Sequence, residues 1–322
     1  MHFVLITAIL LAFASGRLAA ASDANADSHE PSLQRESVLG KDGWIHGAID
    51  CAVNEDAAID VYSHDETTFI LRQNKCLSFE APFIYVLVGA SKVLVLDTGA
   101  TESAFEFPLF KTVQSAIGEE TLATKEILIV HSHSHSDHYK GDSQFKEKPR
   151  TTLVTPSGDA VKNFFGFRVW PSGTASLDLG GRKLTVIPTP GHQEEAITIY
   201  DPQTKWLLTG DTVYPGYIYI KDWEDYKSSI ARLVSFSGSH DVSAILGAHI
   251  EMTREPGKYY PIGTTFQPNE AALDLELQDL LKLNTALQES DAEKELVFDE
   301  FIVAPMNLLQ KAISNIARWL TQ

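Results

Sequence analysis

One short loop, His131-Ser132-His133-Ser134-His135-Ser136-Asp137-His138, carries four imidazoles and a carboxylate. Neutral imidazole is a good ligand for zinc and similar divalent ions, and a carboxylate beside it compensates their charge. Three more donors stand in a repeated context further on: Pro190-Gly191-His192, Thr209-Gly210-Asp211 and Gly247-Ala248-His249. Each follows an apolar run, and each has a glycine beside it that lets the backbone approach a crowded centre. A single strand-end histidine is usually structural. Three such donors downstream of a histidine cluster point to a metal-binding site.

The elements that must position these donors can be read from the apolar pattern. Phe83–Val88 and Lys92–Leu96 are rich in β-branched and apolar residues and flank Gly89-Ala90-Ser91, a hairpin signal. The second run exits through Asp97-Thr98-Gly99. Glu126–Val130 reads as a strand that runs straight into the histidine loop, and residues 68–72, 152–154, 183–187, 196–200, 206–208 and 242–246 read as further strands. Helical spacing covers residues 107–117, which stop at Gly118, and residues 223–236. Strands alternating with helices imply a layered α/β architecture. After Tyr260 the texture changes. Asn269 is the expected N-cap of a helix carrying Leu273, Leu277, Leu280, Leu281 and Leu287, and Leu308, Leu309, Ala312, Ile313, Ile316 and Leu320 form a second stripe. The division expected is a flexible leader over 22–41, behind an apolar N-terminal segment over 1–21, then a main domain over 42–262 and a C-terminal helical extension over 263–322.

The ordered set Asp97, His133-x-His135-x-Asp137-His138, His192, Asp211 and His249 resembles the metallo-β-lactamase superfamily over more than half of the chain. The resemblance implies a four-layer αβ/βα sandwich with two metal ions, zinc first among them, at one edge of the sheets. It implies that His133, His135 and His192 hold one ion, that Asp137, His138 and His249 hold the other, and that Asp211 bridges them. Two ions ~3.5–4 Å apart can share a water and lower its pKa toward ~7, which yields a hydroxide able to attack a carbonyl. Asp97 then becomes a buried support of the histidine loop or a simple turn residue, and His131 falls outside the ligand set. Asp137 and Tyr214 are the candidates for a catalytic role. A tyrosine three residues after the bridging aspartate positions substrate in the lactonase branch, and packing beside Pro215, Tyr217 and Tyr219 is the other reading. Phe164, Phe165, Phe167 and Trp170 either wall a pocket or pack in the core.

Asp211 stands where dedicated β-lactamases of this superfamily usually carry Cys or Ser, and His135 stands where the di-iron flavoprotein branch has Glu. A formal charge of -17 without a basic cluster excludes nucleic acid as a partner. The expected function is hydrolysis of a small-molecule carbonyl substrate, an ester, lactone or thioester. A β-lactamase-like amide hydrolase and a non-catalytic metal-binding protein acting through its C-terminal helices are the alternatives. Association of copies through those helices is a further expectation. Residues 3–14 are apolar, and small residues follow at Ala19, Ala20 and Ala21, so residues 1–21 read as a signal peptide and the mature chain as periplasmic or secreted, with no membrane attachment. Cys51 and Cys76 are the only cysteines, and an exported chain can hold them either as a disulfide or as two thiols.

Overall fold

In the computed structural model, which describes residues 37–41 and 43–321, the central strands of each sheet are buried on both faces, and the alternation of their side chains builds the layers. The first sheet contains β1 (Ile59–Asp65), β2 (Thr68–Gln73), β3 (Phe83–Val88), β4 (Lys92–Leu96), β5 (Glu126–Val130) and β6 (Thr151–Leu153), in that spatial order. β3 and β4 form the expected antiparallel hairpin, whereas β4, β5 and β6 run parallel. Parallel neighbours need a crossover, and α1 (Leu109–Ile117) and α2 (Glu119–Ala123) supply it between β4 and β5.

After α3 (Gly158–Phe165) the chain enters the second sheet with β7 (Ala175–Asp178), β8 (Lys183–Pro188), β9 (Ile197–Asp201) and β10 (Trp206–Gly210). β11 (Tyr217–Ile220) and α4 (Trp223–Ser237) lead to β12 (Ala244–Gly247), which lies parallel to β10. The edge strand β13 (Asp274–Leu275) completes the order β13-β12-β10-β9-β8-β7.

The two sheets face each other. Ile70, Tyr85, Leu87, Leu94, Leu96, Leu128 and Val130 of the first pack against Leu184, Val186, Ile197, Ile199, Leu208 and Leu246 of the second. The alternate residues point outward. Val86, Val95 and Ile129 pack with Leu109 and Val113 of α1. Ile187, Leu207 and Ile245 pack with Tyr226, Ile230 and Leu233 of α4. The result is the four-layer αβ/βα sandwich, helix on sheet on sheet on helix.

Residues 263–322 are more than a helical extension. β13 joins the second sheet, and α5 (Leu277–Glu289) buries Leu280, Leu283 and Leu287 against the α4 side of the core. β14 (Leu296–Val297) and β15 (Ile302–Pro305) follow, and β15 pairs with β11 in a third sheet. The C-terminal helix α6 (Leu308–Thr321) comes last. Glu276, rather than Asn269, caps α5, and its carboxylate pairs with the backbone at Asp279 in a reciprocal capping box. Two residues of strand before the cap explain why the leucine spacing alone misplaced that start.

The expected signal peptide, residues 1–21, and the leader up to residue 36 lie outside the described residues. The described end of the leader is anchored: Leu39 is buried, and the Val38 amide donates to Asp274 at 3.1 Å. Cys51 and Cys76 form a disulfide that ties this N-terminal segment to the loop after β2. Arg72 of β2 is fully buried and makes a bidentate pair with Glu270, both contacts at 2.5 Å, which fastens the first sheet to the segment before β13. Among the described residues no helix is long and apolar enough to cross a membrane.

Candidate metal centre

All donors read from the sequence arrive at the C-terminal ends of strands from both sheets. β5 delivers the histidine loop, β8 leads to His192, β10 to Asp211 and β12 to His249. The close approach of these ends explains the glycines. Gly210 has φ +53°, and a Cβ there would sit 2.4 Å from the Ser132 Cβ. Gly191 has φ +142°, and a Cβ there would meet the Tyr226 backbone at 2.5 Å. Only glycine fits both positions.

The structure brings the seven donors together in two groups, each with its donor atoms within 4.8 Å of one another: His133, His135, His192 and Asp211, and Asp137, His138 and His249. Asp211 faces both. Its Oδ2 lies 3.7 Å from His133 Nε2 and 3.5 Å from His192 Nε2. Its Oδ1 lies 3.6 Å from His138 Nε2 and 3.3 Å from His249 Nε2. Asp137 Oδ2 is 3.2 Å from His138 Nε2 and 3.4 Å from His249 Nε2.

Every ring has its outward nitrogen held by the protein and its inward nitrogen turned to the centre. His138 Nδ1 meets Asp97 at 2.9 Å, His249 Nδ1 the Glu80 carbonyl at 2.9 Å, and His192 Nδ1 the Tyr219 carbonyl at 2.7 Å. His133 Nδ1 meets Ser132 Oγ at 3.1 Å, and His135 Nε2 meets the Gln193 side chain at 2.6 Å. Holding one nitrogen in this way fixes tautomer and ring direction and leaves a lone pair on the other, as metal-ligating imidazoles require. Two inward atoms, His133 Nε2 and Asp211 Oδ1, are buried without a hydrogen-bond partner. The Nε2 atoms of His138 and His249 face each other at 3.4 Å. A divalent cation satisfies all of these atoms, so the residues present fit a metal.

The electrostatics agree. Burial pushes His133 well below the ordinary imidazole range, His192 below it and His135 down to about 3, so these rings are neutral donors. Burial acts the same way on His138 and His249, but Asp137 and Asp211 outweigh it and hold both rings well above that range. Burial alone would raise Asp137 and Asp211; the facing imidazoles win and keep both well below the usual carboxylate range. The two carboxylates thus call for a facing positive charge at this centre, the charge that a divalent ion supplies.

Asp97 has φ +70° and accepts from the Ser132 amide at 2.7 Å and the Ser132 hydroxyl at 2.9 Å, as well as from His138. It is therefore the support of the histidine loop, not a mere turn residue. His131 is outside both groups; its ring meets the Val154 carbonyl at 3.0 Å and Asp142 at 2.9 Å. Tyr214 is buried with its ring 5.5 Å from that of His249. Its hydroxyl faces the Tyr217 carbonyl at 3.1 Å and Glu251 at 3.4 Å, so its proton is committed to the protein. Phe165, Phe167 and Trp170 pack against the inter-sheet core, while Phe164 is 40% exposed. The Glu80 and Tyr219 carbonyls leave no trace in the sequence, because any residue presents a carbonyl. Gln193 carried one faint signal, its position directly after His192.

Residues 78–249 match the family model described as the metallo-beta-lactamase superfamily. The chain is 25% identical over 232 residues to an acyl-coenzyme A thioesterase, MBLAC2, of Homo sapiens, covering 60% of this chain and 82% of that protein. It is 27% identical over 155 residues to a hydroxyacylglutathione hydrolase of Brucella ovis, covering 47% of this chain and 57% of the relative. Among solved structures, a metallo-beta-lactamase from Pontibacter korlensis aligns with a TM-score of 0.47 at 17% identity, over 72% of this chain and all of that one. The TMB-1 structure aligns with a TM-score of 0.49 at 15% identity, over 74% of this chain and all of that one. With the family model covering more than half of its length, the chain belongs to the metallo-beta-lactamase superfamily.

Proposed function

We propose that this metallo-hydrolase is exported, holds two divalent ions, zinc first among them, and cleaves an acyl carbonyl compound: an ester, lactone or thioester. The observation that carries the reading is the set of five imidazoles, each anchored by its outer nitrogen, converging with two carboxylates on one centre. His133, His135 and His192 would hold one ion, Asp137, His138 and His249 the other, and Asp211 both. When bound, such a pair supplies Lewis acidity toward a carbonyl oxygen and acidifies water near neutral pH.

The chain's own residues then set the conditions. Asp97, the Glu80 carbonyl and the Tyr219 carbonyl keep His138, His249 and His192 in one tautomer, so no ring must reorient during turnover. Asp137 is the least enclosed of the two carboxylates, 18% exposed against 8% for Asp211. Held anionic, it is the base best placed to take up a proton from an incoming water. Tyr214 backs the His249 ring and, through Glu251, braces the start of β11 at the Tyr217 amide, 2.8 Å away. With its proton given to the Tyr217 carbonyl, the Tyr214 hydroxyl oxygen would meet a substrate only as an acceptor.

Two relatives, named for acyl-coenzyme A and for hydroxyacylglutathione, support an acyl substrate. The Cys51–Cys76 disulfide supports export, since such bonds persist in oxidising compartments. Association of copies would have to use α6, where Leu308 and Leu309 are exposed, because α5 buries its leucine face within the chain. The test is hydrolysis of p-nitrophenyl esters, lactones, acyl thioesters and nitrocefin before and after chelation. Turnover of at least one acyl substrate, lost to the chelator and restored by zinc, is the expected result. Bound metal with no turnover on any of them would favour a binding protein instead.

A further inference from the structure

Four of the five anchored rings are fixed by the core of the domain: by Asp97, Ser132, the Glu80 carbonyl and the Tyr219 carbonyl of β11. His135 is different. It is the least buried of the five, and its anchor, Gln193, is itself held by the C-terminal helix: the Gln193 amide lies 2.6 Å from His135 Nε2 and 3.0 Å from Ser314 Oγ on α6. Lys311 and Asn315, on the same face of α6 as Ser314, line a cavity of about 240 Å³ together with Gly191, Gln193, Glu194 and Lys221. That face of the helix therefore stands over the loop at Gly191, Gln193 and Glu194 and touches it at Gln193.

The hydrogen-bond chemistry is directional. His135 Nδ1 points inward, 3.0 Å from His192 Nε2. A ring that gives its Nδ1 lone pair to an ion must carry its proton on Nε2, so its outer partner has to be an acceptor. The Gln193 amide now presents Nε2 there, and its Oε1 is buried without a hydrogen-bond partner. Oxygen and nitrogen of an amide are nearly isosteric. Turned over, the amide offers Oε1 to both His135 Nε2–H and the Ser314 hydroxyl, and its NH2 takes the place of the unpartnered oxygen.

We infer that Gln193 is a positioning residue for His135, and that α6 tunes the metal centre through the chain Ser314–Gln193–His135. This rests on the reading of the seven donors as a metal site. It gives the C-terminal helix a role in the centre itself: the helix completes the support of the one ligand that the core leaves loose.

The experiment is competition between the apo protein and a chromophoric chelator for zinc, with thermal unfolding of each variant to confirm folding. Gln193→Ala should weaken one of the two bound equivalents by about 10- to 100-fold, the usual cost of losing the outer partner of a ligand, and leave the other unchanged. Ser314→Ala, at the half-exposed helix surface, should cost about two- to tenfold, the worth of one neutral hydrogen bond. Gln193→Glu keeps an acceptor at both contacts and should bind at least as tightly as the natural chain. The inference is overturned if Gln193→Ala binds both equivalents unchanged, or if Gln193→Glu falls as far as Gln193→Ala. A natural chain that binds no zinc would instead overturn the metal reading, and the inference with it.

Discussion

Asp97→Asn replaces one oxygen by NH2 without changing the size of the side chain, and its consequence can be followed atom by atom. Asp97 Oδ1 accepts from the Ser132 amide, while Oδ2 accepts from both the Ser132 hydroxyl and His138 Nδ1. An asparagine has one acceptor to serve both sides. With its oxygen kept at the Ser132 amide, its NH2 faces His138 Nδ1, two donors at 2.9 Å. His138 then has to shift its proton to Nε2, the nitrogen that faces Asp137 and His249, and the lone pair aimed at the centre is lost. With the amide turned over, His138 is satisfied, but the buried Ser132 amide loses its acceptor and the histidine loop loses its brace.

Either outcome removes the outer partner of one ligand, which costs about 10- to 100-fold in metal affinity, or about 1.4–2.7 kcal/mol. The loss should fall on the equivalent held by Asp137, His138 and His249, and hydrolysis should fall in parallel. Zinc competition and steady-state kinetics on the best acyl substrate measure both. Unchanged affinity for both equivalents, in a variant that unfolds at the natural temperature, would refute the tautomer argument and with it the role given to the outer hydrogen bonds.

Other consequences are independent of the metal. Glu270→Ala leaves the fully buried Arg72 without its carboxylate and should cost about 3–5 kcal/mol in urea unfolding, whereas a loss below ~1 kcal/mol would mean that water or another acid reaches Arg72. Replacing both Cys51 and Cys76 by Ser opens a loop with a sequence separation of 25 and should cost roughly 3.5 kcal/mol on loop-closure entropy. A cost near zero would show that the N-terminal segment stays docked without the bond. Lys75 is buried, and burial lowers it to about 8. Between that value and 10.5 the unfolded chain binds the extra proton, so the natural chain should gain stability relative to Lys75→Met as pH rises from 8, by up to roughly 3 kcal/mol. A difference that stays flat from pH 7 to 10 would place the Lys75 ammonium in contact with water.

The site donors were legible because metal chemistry restricts them to a few residue types, and because each lies at the end of an apolar run. The strands of the inter-sheet core were legible for a related reason: β3, β4, β5 and β12 are short, continuous apolar runs bounded by turn residues. β13, β14 and β15 were not, since two to four residues of mixed character become strands only by pairing with a distant partner, as β15 does with β11. α3 was hidden by Phe164 and Phe165, which drew attention as aromatics although Ser157 caps the helix and Gly166 ends it in the left-handed conformation. Around the site, side-chain supports such as Asp97 left a trace in the sequence, but the carbonyls of Glu80 and Tyr219 did not. Gln193 lies between these cases: its identity matters, but only the approach of α6 shows why.

The proposed centre draws segments far apart in the chain around two cations, and counting those cations tests it most directly. The purified protein, stripped by a chelator and titrated with zinc, should take up two equivalents per chain by elemental analysis after removal of free metal. Asp211→Asn should retain fewer, because Asp211 faces both groups. A natural chain that holds no zinc, and none of the other divalent ions offered in its place, would contradict the account.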